Sequence, residues 1–318
     1  MIVISEDVWS EGFATLAKSQ TIIHEPDLWN RRDDLKGHLK EATALIVRNR
    51  TQVNEEIFAA APKLKIVGRA GVGLDNIDLK SADAHGVVVS AALGINAVAV
   101  GELTLGLALA LLRRVTELDQ STRSGGWDRK AGSEISGKTW GMLGFGATAR
   151  ALARLLRGFG VKVLAYDPFA KIDESFASEV NVSLVSSDEV IANSDLISLH
   201  MPATAETTKM INQATLASMR SHAVIINVGR GELIDEDALE EALVKKVIAG
   251  AALDVRATEP PKDSRFASLS NVILTPHIAG ITVESQAKVN EVLVSEVERS
   301  LNGAPPQYAV GSVKEFKK

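Results

Sequence analysis

The chain is 318 residues long, enough for two domains of ordinary size, and 46% of its residues are hydrophobic against 24% charged, the balance of a protein with a sizeable core. The formal net charge of -5 argues against a globally basic surface for nucleic acid. Without cysteine there are no disulfides or thiolate metal sites, and a reducing, cytoplasmic setting is expected.

The opening MIVISEDVW lacks a basic n-region and does not read as a secretory signal. Ile2-Val3-Ile4, Thr21-Ile22-Ile23, Ala44 to Val47, Lys65-Ile66-Val67 and Val87-Val88-Val89 are predicted as short buried strands. Helical patterns lie between them, at Arg31 to Ala42 and Asn54 to Ala61. Strands alternating with helices predict an α/β fold with a parallel sheet covered on both faces. A long helix is predicted from Ala97 to Leu118. Its apolar part, Val98 to Leu112, is shorter than the roughly twenty residues a bilayer span needs, so it is expected at a domain or subunit interface rather than in a membrane.

A second alternating block follows. Thr139 to Leu143, Val161 to Tyr166, Leu196 to Leu199, Ala223 to Asn227, Gly250 to Val255 and Val272 to Leu274 are predicted strands. Ala147 to Gly158 is a predicted amphipathic helix, and Asp235 is the expected N-cap of a helix ending near Leu243. The last helix, Val283 to Leu301, is expected to stop at Gly303 before Pro305-Pro306, leaving GSVKEFKK as a loose solvated tail with no regulatory domain after it.

Between the first strand and helix of that block, Gly144 to Ala149 reads G-x-G-x-x-G/A, and Asp167 closes the next strand. Glycines let a backbone approach a pyrophosphate at a helix N-terminus, and the acid would accept hydrogen bonds from the adenosine ribose. Its charge disfavours a 2′-phosphate, so NAD is expected over NADP.

Three groups further on point to redox chemistry on a carboxylic acid. Arg230 follows the strand ending at Asn227, where a guanidinium can hold a carboxylate through two parallel hydrogen bonds. Glu259 and His277 follow the next two strands. A carboxylate on an imidazole would fix its tautomer and raise its pKa, suiting it to exchange a proton with a carbonyl or hydroxyl oxygen while hydride moves at carbon. No metal is needed, and His24, His38, His85, His200 and His222 show no ligand spacing.

With these motifs assembled, the chain resembles the D-2-hydroxyacid dehydrogenase family, and within it the phosphoglycerate dehydrogenase branch. The likeness runs from about Ala44 to Leu301 and rests on Val67 to Asn76, the glycine motif with Asp167, Asn227 to Gly231, Ala252 to Val255 with Glu259, and Thr275-Pro276-His277. It implies two doubly wound parallel-sheet domains, a Rossmann cofactor domain inserted into a flavodoxin-like substrate domain. The boundaries expected are 1–98, 99–282 and 283–318. Arg230, Glu259 and His277 become the catalytic set. Gly144, Gly146, Ala147, Thr148, Asp167, Met201, Pro202, Val228, Gly229, Arg230, Asp254, His277 and Gly280 are placed at the cofactor, with Asp254 on the nicotinamide carboxamide. Val72 and Gly73 offer backbone amides to the substrate carboxylate, with Asn96 and Arg230 nearby. A homodimer through the helix after Asn96 is implied. One departure stands out: where the family commonly has an arginine in the cofactor loop, this chain has Ala147.

Arg48, Arg50, Arg69 and Arg129 bear on substrate choice. In the resembled branch, arginines at places matching Arg48, Arg69 and, from a partner subunit, Arg129 meet a substrate phosphate. The expected reactant is therefore a small anionic 2-hydroxy or 2-oxo acid, with 3-phosphoglycerate/3-phosphohydroxypyruvate leading and sulfolactate or glycerate/hydroxypyruvate as alternatives. A formate dehydrogenase is disfavoured, because that branch has glutamine where Glu259 stands. The alternative of another class is an NADH-sensing corepressor-like binding protein. No nucleic-acid or membrane partner is expected.

Overall fold

The structure is a computed structural model and describes residues 1–317. Contacts divide the chain into two units, Met1–Asn96 together with the segment from Ile281 onward, and Ala97–Gly280.

In the first unit strands and helices alternate: β1 (Ile2–Ile4), α1 (Glu11–Leu16), β2 (Ile22–His24), α2 (Arg32–Leu39), β3 (Ala44–Val47), α3 (Glu55–Ala59), β4 (Ile66–Arg69), α4 (Leu79–Ala84) and β5 (Val88–Ala91). These strands are parallel in the order 2-1-3-4-5, the flavodoxin-like winding. Alternate residues explain why the strands are apolar throughout. Val3, Leu45, Val47, Val67 and Val89 join one core, whereas Ile2, Ile4, Ala44, Ile46 and Ile66 join the other.

The second unit runs α5 (Ala97–Leu112), α6 (Val115–Arg123), β6 (Thr139–Leu143), α7 (Ala147–Leu156), β7 (Lys162–Tyr166), α8 (Glu174–Val180), β8 (Val182–Leu184), α9 (Ser187–Asn193), β9 (Leu196–Leu199), α10 (Gln213–Ser218), β10 (Val224–Asn227), α11 (Glu236–Val244), β11 (Gly250–Leu253) and β12 (Val272–Leu274). Its seven parallel strands are ordered 8-7-6-9-10-11-12, the doubly wound dinucleotide-binding topology. Helix α5 packs on α7 and on the sheet at β10 to β12. Gly101 permits that approach, since a Cβ there would lie 3.0 Å from the Leu152 backbone nitrogen.

The chain then returns to the first unit with α12 (Val283–Asn302) and β13 (Ala309–Val310). Gly303 caps α12 at φ 67°. Among the described residues no helix is long and apolar enough to cross a membrane.

Three sequence expectations change. The long helix to Leu118 is broken at Arg114, which adopts φ 55° and starts α6 with its guanidinium on Glu117. The first sheet also gains an antiparallel edge strand, β13, paired with β5. Buried Glu296 makes this possible: its carboxylate accepts the backbone N–H groups of Gln307 and Tyr308 and the Ser90 hydroxyl. Finally, the tail is not loose. Asp83 accepts the N–H groups of Ser312 and Val313, and Phe316 packs on the core beneath β1. Lys318 lies outside the described residues.

Candidate active site

The carboxyl ends of the second unit's strands hold most of the residues singled out above, and a ligand of an open parallel sheet sits at that edge. After β6, Gly144 turns at φ 89°, and a Cβ there would come within 2.9 Å of the His200 carbonyl carbon. Beside Gly146, the N-cap of α7, a Cβ would meet nothing within 4 Å. That open helix end fits a pyrophosphate. The Asp167 carboxylate follows β7 and accepts the N–H groups of Phe145 and Phe169, each at 2.9 Å, which ties this acid to the glycine turn. Ala147, Thr148 and Ala149 place no basic side chain in the first helical turn. Arg150 donates instead to the carbonyls of Phe145 and Lys171.

Met201 and Pro202 follow β9, and Val228 to Arg230 follow β10. Asn227 shapes the second of these turns: its side-chain oxygen accepts the Gly229 N–H and its amide donates to the Arg230 carbonyl. Arg230 is half-buried and donates from Nη1 to the Gly229 carbonyl at 2.8 Å. Gly231 brings this turn against the loop after β11, because a Cβ there would overlap the backbone at Arg256 and Ala257.

That second loop carries Glu259. It is fixed to α11 by Arg256, whose Nε and Nη2 each lie 2.9 Å from the Glu236 carboxylate. Glu259 Oε1 accepts the Arg256 N–H at 3.0 Å, and Oε2 meets His277 Nδ1 at 2.7 Å. Burial by itself would raise the Glu259 pKa, but the bonds from His277 and the Arg256 N–H, with Arg230 adding a favourable field, leave it lowered. The same contact raises the His277 pKa against the opposing effects of burial and of the Arg230 charge, with Asp254 adding to the rise.

His277 itself stands at φ 56°, a left-handed conformation uncommon for a residue with a side chain. Asp254, 1% exposed, imposes it. Its Oδ1 accepts the Thr275 hydroxyl at 2.6 Å and the Ile278 N–H at 2.9 Å, and its Oδ2 accepts the Ala279 N–H at 2.9 Å. Asp254 therefore anchors the loop from Thr275 to Gly280, a task its assignment to a carboxamide did not foresee. The roles of Glu236, Arg256 and Thr275 are likewise invisible in spacing alone, because each acts through a residue distant in the chain.

In the first unit, Arg48, Arg69, Val72 with Gly73, and Asn96 all lie at or beyond the carboxyl ends of β3, β4 and β5. The β3 loop is built on Glu6, 3% exposed, whose carboxylate accepts the backbone N–H groups of Arg48, Asn49, Arg50 and Thr51 at 2.8 to 3.2 Å. Arg50 stacks over Trp29, with its guanidinium carbon 5.0 Å from the ring centroid. The Asn96 side-chain oxygen is buried and finds no hydrogen-bond partner among the described residues. Arg129 belongs to the second unit. It is exposed, in the segment after α6 that borders the amino ends of β10 and β11 through Ala131 to Ser133.

A glycine turn opening α7, an acid at the end of β7 and the 8-7-6-9-10-11-12 strand order define a dinucleotide-binding domain. Comparison with known proteins gives the family. Residues 105–279 match the NAD binding domain of the D-isomer specific 2-hydroxyacid dehydrogenases, and the chain belongs to that family. It is 42% identical over 315 residues to D-3-phosphoglycerate dehydrogenase 2, chloroplastic, of Arabidopsis thaliana, covering 98% of this chain and 50% of that protein. It is 36% identical over 312 residues to D-3-phosphoglycerate dehydrogenase of Archaeoglobus fulgidus, covering 97% of this chain and 59% of that one. The chain thus spans between half and three-fifths of the length of these relatives. Among solved structures it is similar to a D-mandelate dehydrogenase of Rhodotorula graminis, with TM-score 0.90, 25% identity and 99% of both chains covered. It is also similar to a glyoxylate reductase of Paecilomyes thermophila, with TM-score 0.88, 27% identity and 97% of both chains covered.

Proposed function

We propose that the protein is an NAD-dependent oxidoreductase acting on a small anionic 2-hydroxy or 2-oxo acid, with 3-phosphoglycerate/3-phosphohydroxypyruvate as the leading pair. The 2.7 Å contact between Glu259 and His277 carries this reading, because it orients an imidazole and raises its pKa at the sheet edge that also holds the glycine turn. A nicotinamide dinucleotide held at the Gly144 to Ala149 turn would supply or take the hydride. His277 Nδ1 is held by Glu259, so Nε2 is the nitrogen that gives a proton to the carbonyl oxygen in reduction and takes it from the hydroxyl in oxidation. Arg230 orients the substrate carboxylate and opposes the charge that builds on oxygen. Asp167 disfavours a 2′-phosphate, so NADH is used in preference to NADPH.

The names of the relatives support the phosphorylated substrate, and Arg48 and Arg69 at one sheet edge suit a second anionic group. The glyoxylate reductase likeness favours glycerate/hydroxypyruvate as the second reading. The exposed apolar side chains of Val98, Val115 and Trp127 suit a homodimer, within which Arg129 would serve the partner's site. The cysteine-free composition accords with a cytoplasmic protein.

The test is NADH and NADPH oxidation with phosphohydroxypyruvate, sulfopyruvate, hydroxypyruvate, glyoxylate and pyruvate, repeated with His277→Ala. Turnover with NADH and a dianionic acid is expected, falling by roughly two or more orders of magnitude in the variant while NADH still binds. No turnover with any acid despite NADH binding overturns the enzyme in favour of a binding protein.

A further inference from the structure

In the first turn of α7, Ala147-Thr148-Ala149, the one polar side chain is Thr148. Its Oγ1 lies 3.4 Å from Nδ1 of His200, at the end of β9. Nε2 of the same ring is 2.8 Å from Ser198 Oγ, and Ser198 Oγ is 2.8 Å from Trp140 Nε1. Trp140 and Ser198 are fully buried on neighbouring strands. Burial also pushes the His200 pKa down to about 3, which favours the neutral ring near pH 7.

The direction of these bonds follows from the far end. An indole nitrogen only donates, so Ser198 Oγ accepts from Trp140, and because the Ser198 hydroxyl meets no other acceptor among the described residues, its own hydrogen goes to His200 Nε2. A neutral imidazole that accepts at Nε2 carries its proton on Nδ1. Nδ1–H then donates to Thr148 Oγ1, and the threonine hydrogen is left for an acceptor at the open helix end.

We propose that Trp140, Ser198 and His200 form a directed hydrogen-bond chain that turns Thr148 into a hydroxyl donor for a phosphate oxygen of the bound dinucleotide. Thr148 is then a cofactor-binding residue, and the three behind it are positioning residues. The chain takes a place that a basic side chain would otherwise fill, since Ala147 offers none and Arg150 is engaged with two carbonyls. This deepens the assignment of the glycine turn to a nicotinamide dinucleotide and rests on it.

Two measurements test the proposal on the full chain. NADH dissociation constants by fluorescence titration should weaken about tenfold in Thr148→Val, the worth of a hydrogen bond to a charged acceptor, and recover in Thr148→Ser. Equal affinity of Thr148→Val and the unchanged protein, or equal loss in both variants, overturns the proposal by showing that the hydroxyl gives nothing or that only packing matters. Independently of any cofactor, nitrogen-15 NMR of the His200 ring, assigned by its loss in His200→Gln, should show the Nδ1–H tautomer. An Nε2–H tautomer reverses the chain and sinks it, whereas failure of the unchanged protein to bind NADH would instead sink the assignment on which it rests.

Discussion

Asp254 and His277 are joined twice over. The His277 N–H donates to the Asp254 carbonyl at 2.8 Å, while the Asp254 carboxylate holds the N–H groups of the next two residues, Ile278 and Ala279. A buried carboxylate with three donors is a rigid anchor, and it fixes a histidine whose φ of 56° an unrestrained chain would seldom adopt.

Asp254→Asn should therefore act through the imidazole. An asparagine keeps one acceptor oxygen and turns an N–H₂ group toward backbone donors, leaving at least one of them unsatisfied. The expected outcome is a fall in kcat of roughly tenfold or more, with faster hydrogen exchange confined to residues 275–280. Unchanged exchange with reduced activity would mean that Asp254 acts on the cofactor directly and not through its loop.

The charge on His277 should be visible in pH profiles. Glu259 favours the protonated imidazole, so the group stays an acid to higher pH than an isolated histidine. In Glu259→Gln that support is lost and the His277 pKa falls. For 2-oxo acid reduction, which needs the proton, the high-pH limb of kcat/KM should move to lower pH. For oxidation, which needs the free base, the low-pH limb should move the same way. Limbs that stay in place would show that another group titrates in the profile.

Much of the fold was legible because buried parallel strands are short unbroken apolar runs. Ala44–Val47, Thr139–Leu143 and Leu196–Leu199 fall where hydrophobicity alone puts them. The break at Arg114 was not, because an apolar helix continuing into an amphipathic one leaves no glycine or proline to mark it. Strand β13 was hidden because two prolines precede it and its anchor, Glu296, lies on a helix already passed. At the candidate site, the residues proposed to bear chemistry stand beside glycines or prolines near strand ends, which is why the sequence singles them out. Of the groups that aim them, Asp254 was named for a different task, whereas Glu236 with Arg256, and Glu6, look like ordinary acidic or basic positions until the fold brings their partners to them.

Glu6 provides the last test, since its carboxylate reads nothing but backbone. Although burial opposes ionisation, the N–H groups of Thr51, Arg48 and Arg50 hold its pKa below the usual carboxylate range. A lowered folded-state pKa means stability that is present above about pH 4.5, the unfolded value, and is lost as pH falls through the folded one. Glu6→Gln removes the charge and presents N–H₂ to N–H, so it should cost about 1–3 kcal/mol in urea unfolding at pH 7. That cost should shrink as pH falls through the lowered pKa of the native carboxylate. The variant also loosens the turn that carries Arg48. If Arg48 meets a second anion on the substrate, KM for phosphohydroxypyruvate should rise severalfold while KM for glyoxylate and the NADH dissociation constant hold steady. A parallel rise for both acids would place Arg48 away from that anion and leave Glu6 with a purely structural part.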